Sequence, residues 1–442
     1  MNINEAVSFL SDSASKATDA FDIVAGHSRS EGVSVFQGKV QNTELAESVG
    51  IGIRVFKDNH PGYAHTERLT KEAIAQTLRD AISHCEFTKE LCIDLPCPQV
   101  LRKLKSSYNS DLFKIELSEM TSLCLDIEKE VFAASKEIEN VPYLGAERSE
   151  SSMIVANSKG VHYEEKSNAI SAGIGAVAIR NDVKKMGVYN KGGLDWNAIQ
   201  AKEIAQKAVE YACELLGASS IVSGHIPVIF SERVAGSIVS MYASSFFAEQ
   251  VQKGQSRLEG CLGKTIASHC FTLVNDPFRD DLPGASAFDG EGVATQQVPL
   301  VKEGVLKDFL YNLETAAHEN KKSNGAASRR YSGKVGTSFS NLIVAPGKQN
   351  TQELLKIFPK CLYIVKLEGG SGCSAVSGEL SIGAQGFWCE NGVVIHPVDG
   401  LTLSTNFFDL LQNLMAVGSE YNDHYSSIKV PALAVSDVSV SN

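Results

Sequence analysis

Apolar residues recur at alternate positions in short runs through the first half of the chain, and at every third or fourth position in a few longer segments. This pattern predicts strands punctuated by helices. Val33 to Phe36 alternates like a strand, Gly38-Lys39 turns the chain, and a second strand leads into Gly50-Ile51-Gly52-Ile53. Gly62-Tyr63 follows, and then a helix capped by Thr70 with Ile74, Leu78 and Ile82 on one face. The same order returns further on. Met153 to Ala156 is followed by a turn at Gly160, then Gly173-Ile174-Gly175, then Gly187-Val188-Tyr189, then a helix capped by Asp195 with Ile204, Ala208, Tyr211 and Leu215 on one face. The offset between matched glycines is nearly constant, which marks an internal duplication, about 30–87 and 150–217. Each copy reads as antiparallel strands closed by a helix. Between the copies, Asp94-Leu95-Pro96-Cys97-Pro98 breaks the pattern. A long core helix over about 111–139 then joins them, with Leu112, Ile115, Leu123, Ile127 and Val131 at helical spacing.

After Gly217 the pattern shifts to short strands rich in Gly and Ser, so the sequence divides into an N-terminal region (1–217) and a mainly β C-terminal domain (222–442). Strands are expected at His225–Phe230, Leu342–Ala345 and Leu362–Leu367, and Val298–Val301 with Val305–Phe309 flank Glu303-Gly304 as a hairpin. The predicted fold class is α+β, with duplicated β-hairpin/helix units in the first half and a mostly β, glycine-rich second half. The densest glycines run from Gly369 to Gly392. Asn391-Gly392 suits a two-residue type I′ turn, with Gln385–Trp388 and Val393–Ile395 as its arms. Glycines at such density imply backbone that turns sharply or lies close against a neighbour.

Composition narrows the function classes. A chain of 442 residues organises more than one core, and 43% hydrophobic with 21% charged residues is ordinary for a globular protein. The formal net charge of -11 repels a phosphate backbone, which argues against nucleic acid as a partner. The N-terminus lacks the basic and apolar segments of a secretory signal, and no apolar run is long enough to cross a bilayer, so a cytoplasmic location is expected. The ten cysteines lack C-x-x-C spacing and read as reduced, small apolar residues.

Asp289-Gly290-Glu291-Gly292-Val293-Ala294-Thr295, Lys302-Glu303-Gly304-Val305-Leu306, Ser340-Asn341-Leu342 and Pro346-Gly347 precede the Gly369–Gly392 stretch. In this order and at this spacing, from about residue 30 to the C-terminus, the series resembles the TldD/PmbA family, once called modulators of DNA gyrase and now understood as metallopeptidase subunits. In the catalytic branch of that family, a helix after the first strand of the C-terminal domain carries H-E-x-x-x-H, two imidazoles for a metal and a glutamate for its water. Here the two histidine positions hold Glu232 and Ser237, and the glutamate position holds Arg233. Arg233 stays charged and takes no proton, and a hydroxyl is a poor zinc ligand, so no catalytic or metal-binding residue is assigned to this chain.

The resemblance then implies the PmbA or TldE-type branch: a subunit that pairs with a zinc-bearing TldD-type sister, in a homo- or hetero-oligomer, to cleave extended or unfolded peptides, including in peptide maturation. Asp289, Glu291, Gly292, Gly369, Gly370, Gly372, Gly386 and Trp388 are the candidate peptide-binding or interface residues, since glycine-rich strands admit an added strand through backbone hydrogen bonds. Tight packing of strand on strand is the competing reading. A regulator that binds other proteins such as gyrase, and a hydrolase using a cysteine, are the alternatives in other classes. His318 to Lys334, with Lys321, Lys322, Arg329, Arg330 and Lys334, reads as an exposed loop of solvated charge, or else as a basic lid over a groove. Gly263-Lys264-Thr265 lacks the upstream glycine of a phosphate loop, and Ser374 lacks the second glycine of a nucleophile elbow.

Overall fold

The structure, a computed structural model, describes residues 1–105 and 107–442. The first half builds two three-stranded meanders. The first comprises β1 (Ala20–Phe36), β2 (Lys39–Lys57) and β3 (His60–Thr66), the second β4 (Ile138–Asn157), β5 (His162–Arg180) and β6 (Val183–Gly193). Their tight turns, Gln37-Gly38, Asp58-Asn59 and Asn181-Asp182, place both central residues at positive φ, which matches the right-handed twist of the flanking strands. The meanders join edge to edge into one antiparallel sheet of order β3-β2-β1-β4-β5-β6. The duplication is therefore expressed as a single six-stranded layer.

Four helices cover one face of that layer: α1 (Ile3–Ala14), α2 (Lys71–His84), α3 (Leu117–Ala134) and α4 (Ala201–Cys213). The odd-numbered side chains of β1 face them. Phe21, Ile23 and Ala25 pack with Leu10 and Ile74, and Val33 and Val35 pack with Ile127 and Val131. The glycines matched between the copies have one shared purpose. A Cβ on Gly62 would stand 1.8 Å from the carbonyl oxygen of Ala81, and one on Gly187 2.3 Å from that of Ala208, so each glycine lets its helix lie directly on its outer strand. Gly187→Ala is expected to cost about 1–3 kcal/mol by forcing α4 off the sheet, measured as a lower urea midpoint at unchanged slope.

On the opposite face Val24, Val155, Met153 and Tyr163 pack with Phe288 of the second half, and beyond that contact there is almost no apolar bulk. On β1 it presents Gly26, Ser28, Ser30, Gly32 and Ser34, and a straight row of Ser48, Ser28, Ser151 and Ser167 crosses four strands in register. Within that row the hydroxyls of Ser28 and Ser48 lie 2.8 Å apart, and those of Ser151 and Ser167 2.9 Å apart. No helix covers this face. Along the sheet edge β3 extends only to the pairing of Thr66 with Ile51, which leaves β2 from Lys39 to Ser48 exposed on both faces.

The joining helix is shorter than the apolar spacing predicts. Leu112 belongs to a 3-10 turn, Ser110–Lys114, and Ile115 to extended backbone after it. Glu116 then opens α3 through a capping box with Glu119, and the helix ends at Ala134 because Ser135 is extended and Ile138 already belongs to β4. Apolar residues at helical spacing thus came from three different elements.

The second half packs two sheets around one core. β7 (Gly224–Phe230) lies at the centre of one sheet with β14 (Lys360–Glu368), β15 (Glu379–Glu390), β16 (Val393–Asn406), β17 (Leu414–Val417) and β19 (Leu433–Ser441), in order β16-β15-β14-β7-β19-β17. The other sheet holds β8 (Leu273–Asn275), β9 (Val298–Lys302), β10 (Val305–Leu306), β13 (Leu342–Val344) and β18 (Ile428–Lys429). A two-stranded ribbon, β11 (Ala327–Ser328) with β12 (Gly336–Thr337), stands apart from both. Phe230, Tyr242, Phe246, Phe271 and Phe407 fill the interior, with Tyr242 stacked on Phe407 at 4.4 Å between centroids. Glu303-Gly304 and Asn391-Gly392 form the two hairpin turns expected of them, each with both residues at positive φ. The class is α+β, with the duplicated units in the first half and β structure dominating the second. The ten cysteines form no disulfide. Among the described residues no helix is long and apolar enough to cross a membrane.

Candidate functional site

The candidate residues fall into two places. In the glycine-rich hairpin, a Cβ on Gly386 would meet the Tyr363 carbonyl oxygen at 2.1 Å, so this glycine serves the close pairing of β14 with β15. Gly369 and Gly370 adopt φ of +75° and +148° with open space where a side chain would be, and Gly372 is an exposed turn residue beside Ser381. Trp388 is half-buried, and its Nε1 donates to Glu390 at 3.0 Å. The hairpin therefore leaves Gly369, Gly370 and Gly372 at the surface and encloses Gly386.

Asp289, Glu291 and Gly292 lie where the second half meets the six-stranded sheet. Gly292, at φ +78°, brings its Cα within a side chain's reach of Val161. Glu291 is fully buried. It accepts from Nη2 of Arg54 at 2.8 Å and from the Leu313 N–H at 2.8 Å. Arg54, also fully buried, forks onto Asp22 through Nε at 3.0 Å, and Nη1 of Arg329 donates to the other Asp22 oxygen. Two carboxylates and two guanidiniums are thus enclosed as one neutral cluster, with Asp22 and Arg54 from the sheet and Glu291 and Arg329 from the second half. Burial alone would raise the Asp22 carboxyl, but Arg329 and Arg54 overcome it and hold it below the usual range. Burial likewise opposes the charge on Arg54, and Asp22 and Glu291 outweigh it. Sequence reasoning found Glu291 and missed its partners, because pairs separated by 237 and 307 residues leave no local pattern.

Asp289 shapes the turn beside the cluster. Its oxygens accept from the N–H groups of Glu291, Val293 and Ala327 at 2.9–3.0 Å, while burial and the charge of Glu291 push its carboxyl up to about 7. Between the unfolded value near 4 and about 7 the folded chain holds a proton that the unfolded chain has lost, so this group's contribution to stability falls as pH rises through that window. Urea titrations from pH 4.5 to 7.5 are expected to show that decline, and Asp289→Asn to flatten it. The paired Asp22 acts in a separate window, since its contribution is complete above the unfolded value and lost only below it.

The segment from His318 to Lys334 is a packed strap, contrary to its expected character as a solvated loop. Lys322, Arg330 and Lys334 are exposed, but Ser323 to Ala327 and Arg329 are buried, and Lys321 pairs with Glu319 and with the hydroxyl of Tyr311. Tyr331 lies across the helix-free face of the sheet and covers it at Gly50 and Gly52. A Cβ on Gly52 would stand 1.9 Å from its carbonyl oxygen, and one on Gly50 2.3 Å from its ring.

At the position of the metal motif, Glu232 and Arg233 occupy the turn before α5 (Ala235–Met241), and only Ser237 is on the helix, exposed. Arg233 Nη1 donates to Glu214 at 2.6 Å, and its guanidinium lies 3.4 Å over the ring of Tyr211 on α4. One carboxylate, one committed cation and one exposed hydroxyl do not fit zinc.

Family models match most of this architecture. The PmbA/TldA metallopeptidase domain 1 matches residues 21–85, the central domain residues 110–216 and the C-terminal domain residues 223–442. The chain belongs to the PmbA/TldD family. Metalloprotease PmbA of Escherichia coli O157:H7 is 25% identical over 444 residues, covering 98% of this chain and 96% of the relative. A structure from Thermotoga maritima, described as a modulator of a DNA gyrase, superposes with a TM-score of 0.91 at 26% identity, covering 99% of this chain and 100% of that one. TldE from Thermococcus kodakarensis shares the fold, with a TM-score of 0.90 at 21% identity over 99% of this chain and 100% of that one. Within the PmbA/TldD fold, the boundary between the central and C-terminal models falls between α4 and β7, and Arg233, in the turn after β7, reaches back across it to Tyr211 and Glu214.

Proposed function

We propose that this chain is a PmbA/TldE-type subunit of a two-component metallopeptidase, contributing substrate binding while a TldD-type sister carries the metal. The observation that carries this reading is Arg233. It stands where the catalytic branch places its general base, and it is held there by Glu214 and Tyr211. A guanidinium takes no proton from water at working pH. The part of the helix-free sheet face that the second half leaves open, with its serine row, supports the substrate role, since small polar side chains let an extended backbone approach and hydrogen-bond. The reading places the pair in the cytoplasm, acting on extended or unfolded peptides, including peptides undergoing maturation.

The purified chain is expected to hold well under one equivalent of zinc by mass spectrometry and to leave a labelled peptide intact. Co-expression with a TldD-type protein is expected to give a complex by gel filtration that cleaves the peptide. Stoichiometric zinc with cleavage by this chain alone overturns the proposal, and so does a pull-down that recovers gyrase but no TldD-type protein.

A further inference from the structure

Beside the Asp22–Arg54–Glu291–Arg329 cluster lies a cleft of about 300 Å³, at the lower end of the usual range for ligand pockets. Its floor is the helix-free face of β4 and β5, at Met153, Glu165 and Ser167, and its walls come from the Asp289 turn and the strap. Two groups in its lining are unmatched. Glu165 accepts one hydrogen bond, from the Ser286 hydroxyl at 2.7 Å, and among the described residues it has no ion-pair partner. Burial raises its carboxyl above the ordinary range, opposed only by that hydroxyl, as expected of an acid without a cation beside it. Arg329 is the cleft's one cation. Its side chain is 2% exposed and Nη1 is spent on Asp22, but Nε has no hydrogen-bond partner. An enclosed N–H without an acceptor is costly in a folded protein, and a small shift of the Arg329 side chain that uncovers it to a ligand's acceptor recovers that cost.

The cleft thus offers an unneutralised carboxylate and an unused guanidinium N–H within one small space. A ligand that meets both carries a cation next to a hydrogen-bond acceptor. The first residue of a polypeptide has that chemistry: an α-ammonium group, one carbon, and then a carbonyl oxygen. We propose that this cleft captures the amino-terminal end of an extended polypeptide, its ammonium group on Glu165 and its first carbonyl oxygen on Nε of Arg329. The rest of the chain leaves along the serine rows. Ser167 and Pro283 border both the cleft and a second hollow of about 350 Å³, lined by Ser28, Ser48 and Ser151, so the two spaces adjoin. This inference rests on the reading above, that the chain handles extended polypeptide, and adds which end it grips and where.

The test uses the full-length chain and one octapeptide of Gly, Ala and Ser with a C-terminal fluorophore, made with a free and with an acetylated N-terminus. Fluorescence anisotropy is expected to show the free peptide binding roughly 10- to 100-fold more tightly, the worth of one charge-assisted hydrogen-bonded contact. Glu165→Gln keeps an acceptor for Ser286 and is expected to leave the melting temperature unchanged while abolishing the difference between the two peptides. Equal affinity of the two peptides for the unaltered chain overturns this inference and leaves the wider reading standing. Binding of neither peptide overturns both. A difference that survives Glu165→Gln removes Glu165 from the assignment and overturns the site as described.

Discussion

Arg54→Met is expected to destabilise the folded chain by about 3–5 kcal/mol, the typical loss when one partner of an enclosed ion pair is removed. Asp22 and Glu291 are both fully buried and both depend on Arg54. Methionine fills a similar volume, so the loss reflects two carboxylates facing each other with only Arg329 left between them. Their charges then oppose folding most strongly at neutral pH, and acidification that protonates one of them is expected to restore part of the loss. Arg54→Lys is expected to recover little, because an ammonium cannot fork onto Asp22 while also reaching Glu291. Urea denaturation at pH 7 and pH 5 measures all three quantities. A loss under about 1 kcal/mol at pH 7 would show that the cluster is open to water and that its enclosure here is wrong.

Gly52→Val is expected to be nearly as damaging, by a different route. The new side chain has to occupy the space of the Tyr331 carbonyl, 1.9 Å from where its Cβ must stand, and backbone on both sides prevents a small adjustment. The strap lifts from the sheet and takes Arg329 away from Asp22. An overpacking cost of about 1–3 kcal/mol is then joined by the loss of an enclosed pair, giving about 3 kcal/mol or more in total. Limited proteolysis distinguishes this from general unfolding: cleavage is expected first at the exposed basic residues Lys322, Arg330 and Lys334. Because both substitutions disable the same cluster, Arg54→Met with Gly52→Val is expected to cost less than the sum of the two.

Local chemistry was readable from the sequence, and long-range chemistry was not. Asn391-Gly392 and Glu303-Gly304 announce their hairpins because few residue pairs tolerate two successive positive φ values. Gly62 and Gly187 announce the duplication because each meets the same demand, a helix pressed onto a strand. The strands were read too short because their middle stretches lack apolar residues: His27-Ser28-Arg29-Ser30-Glu31-Gly32 conceals the continuity of β1. The joining helix was read too long because Leu112 and Ile115 happen to continue the spacing of α3. Arg329 was read as solvated because an arginine in a basic segment rich in serine and glycine usually is. Only the fold brings it to Asp22, and nothing in the residues around either one encodes that meeting. The glutamate of the cleft, Glu165, was passed over for the same reason, since it sits among Glu164, Lys166 and other charges that do face water.

The edge-to-edge junction of β1 with β4 also sets the order in which the protein is completed during translation. The first meander can close on the ribosome once residue 66 has emerged, but one side of β1 stays bare until Asn157 arrives to pair with Asp22. Asp22 meets Arg54 within that meander, but the pair stays unenclosed until Glu291 and Arg329, the latter 307 positions downstream of Asp22, arrive. Contacts of such separation form slowly, so nascent chains of intermediate length expose a sticky strand and an uncovered ion pair for seconds at ordinary elongation rates. Ribosome-bound intermediates shorter than about 330 residues are where chaperone dependence should concentrate.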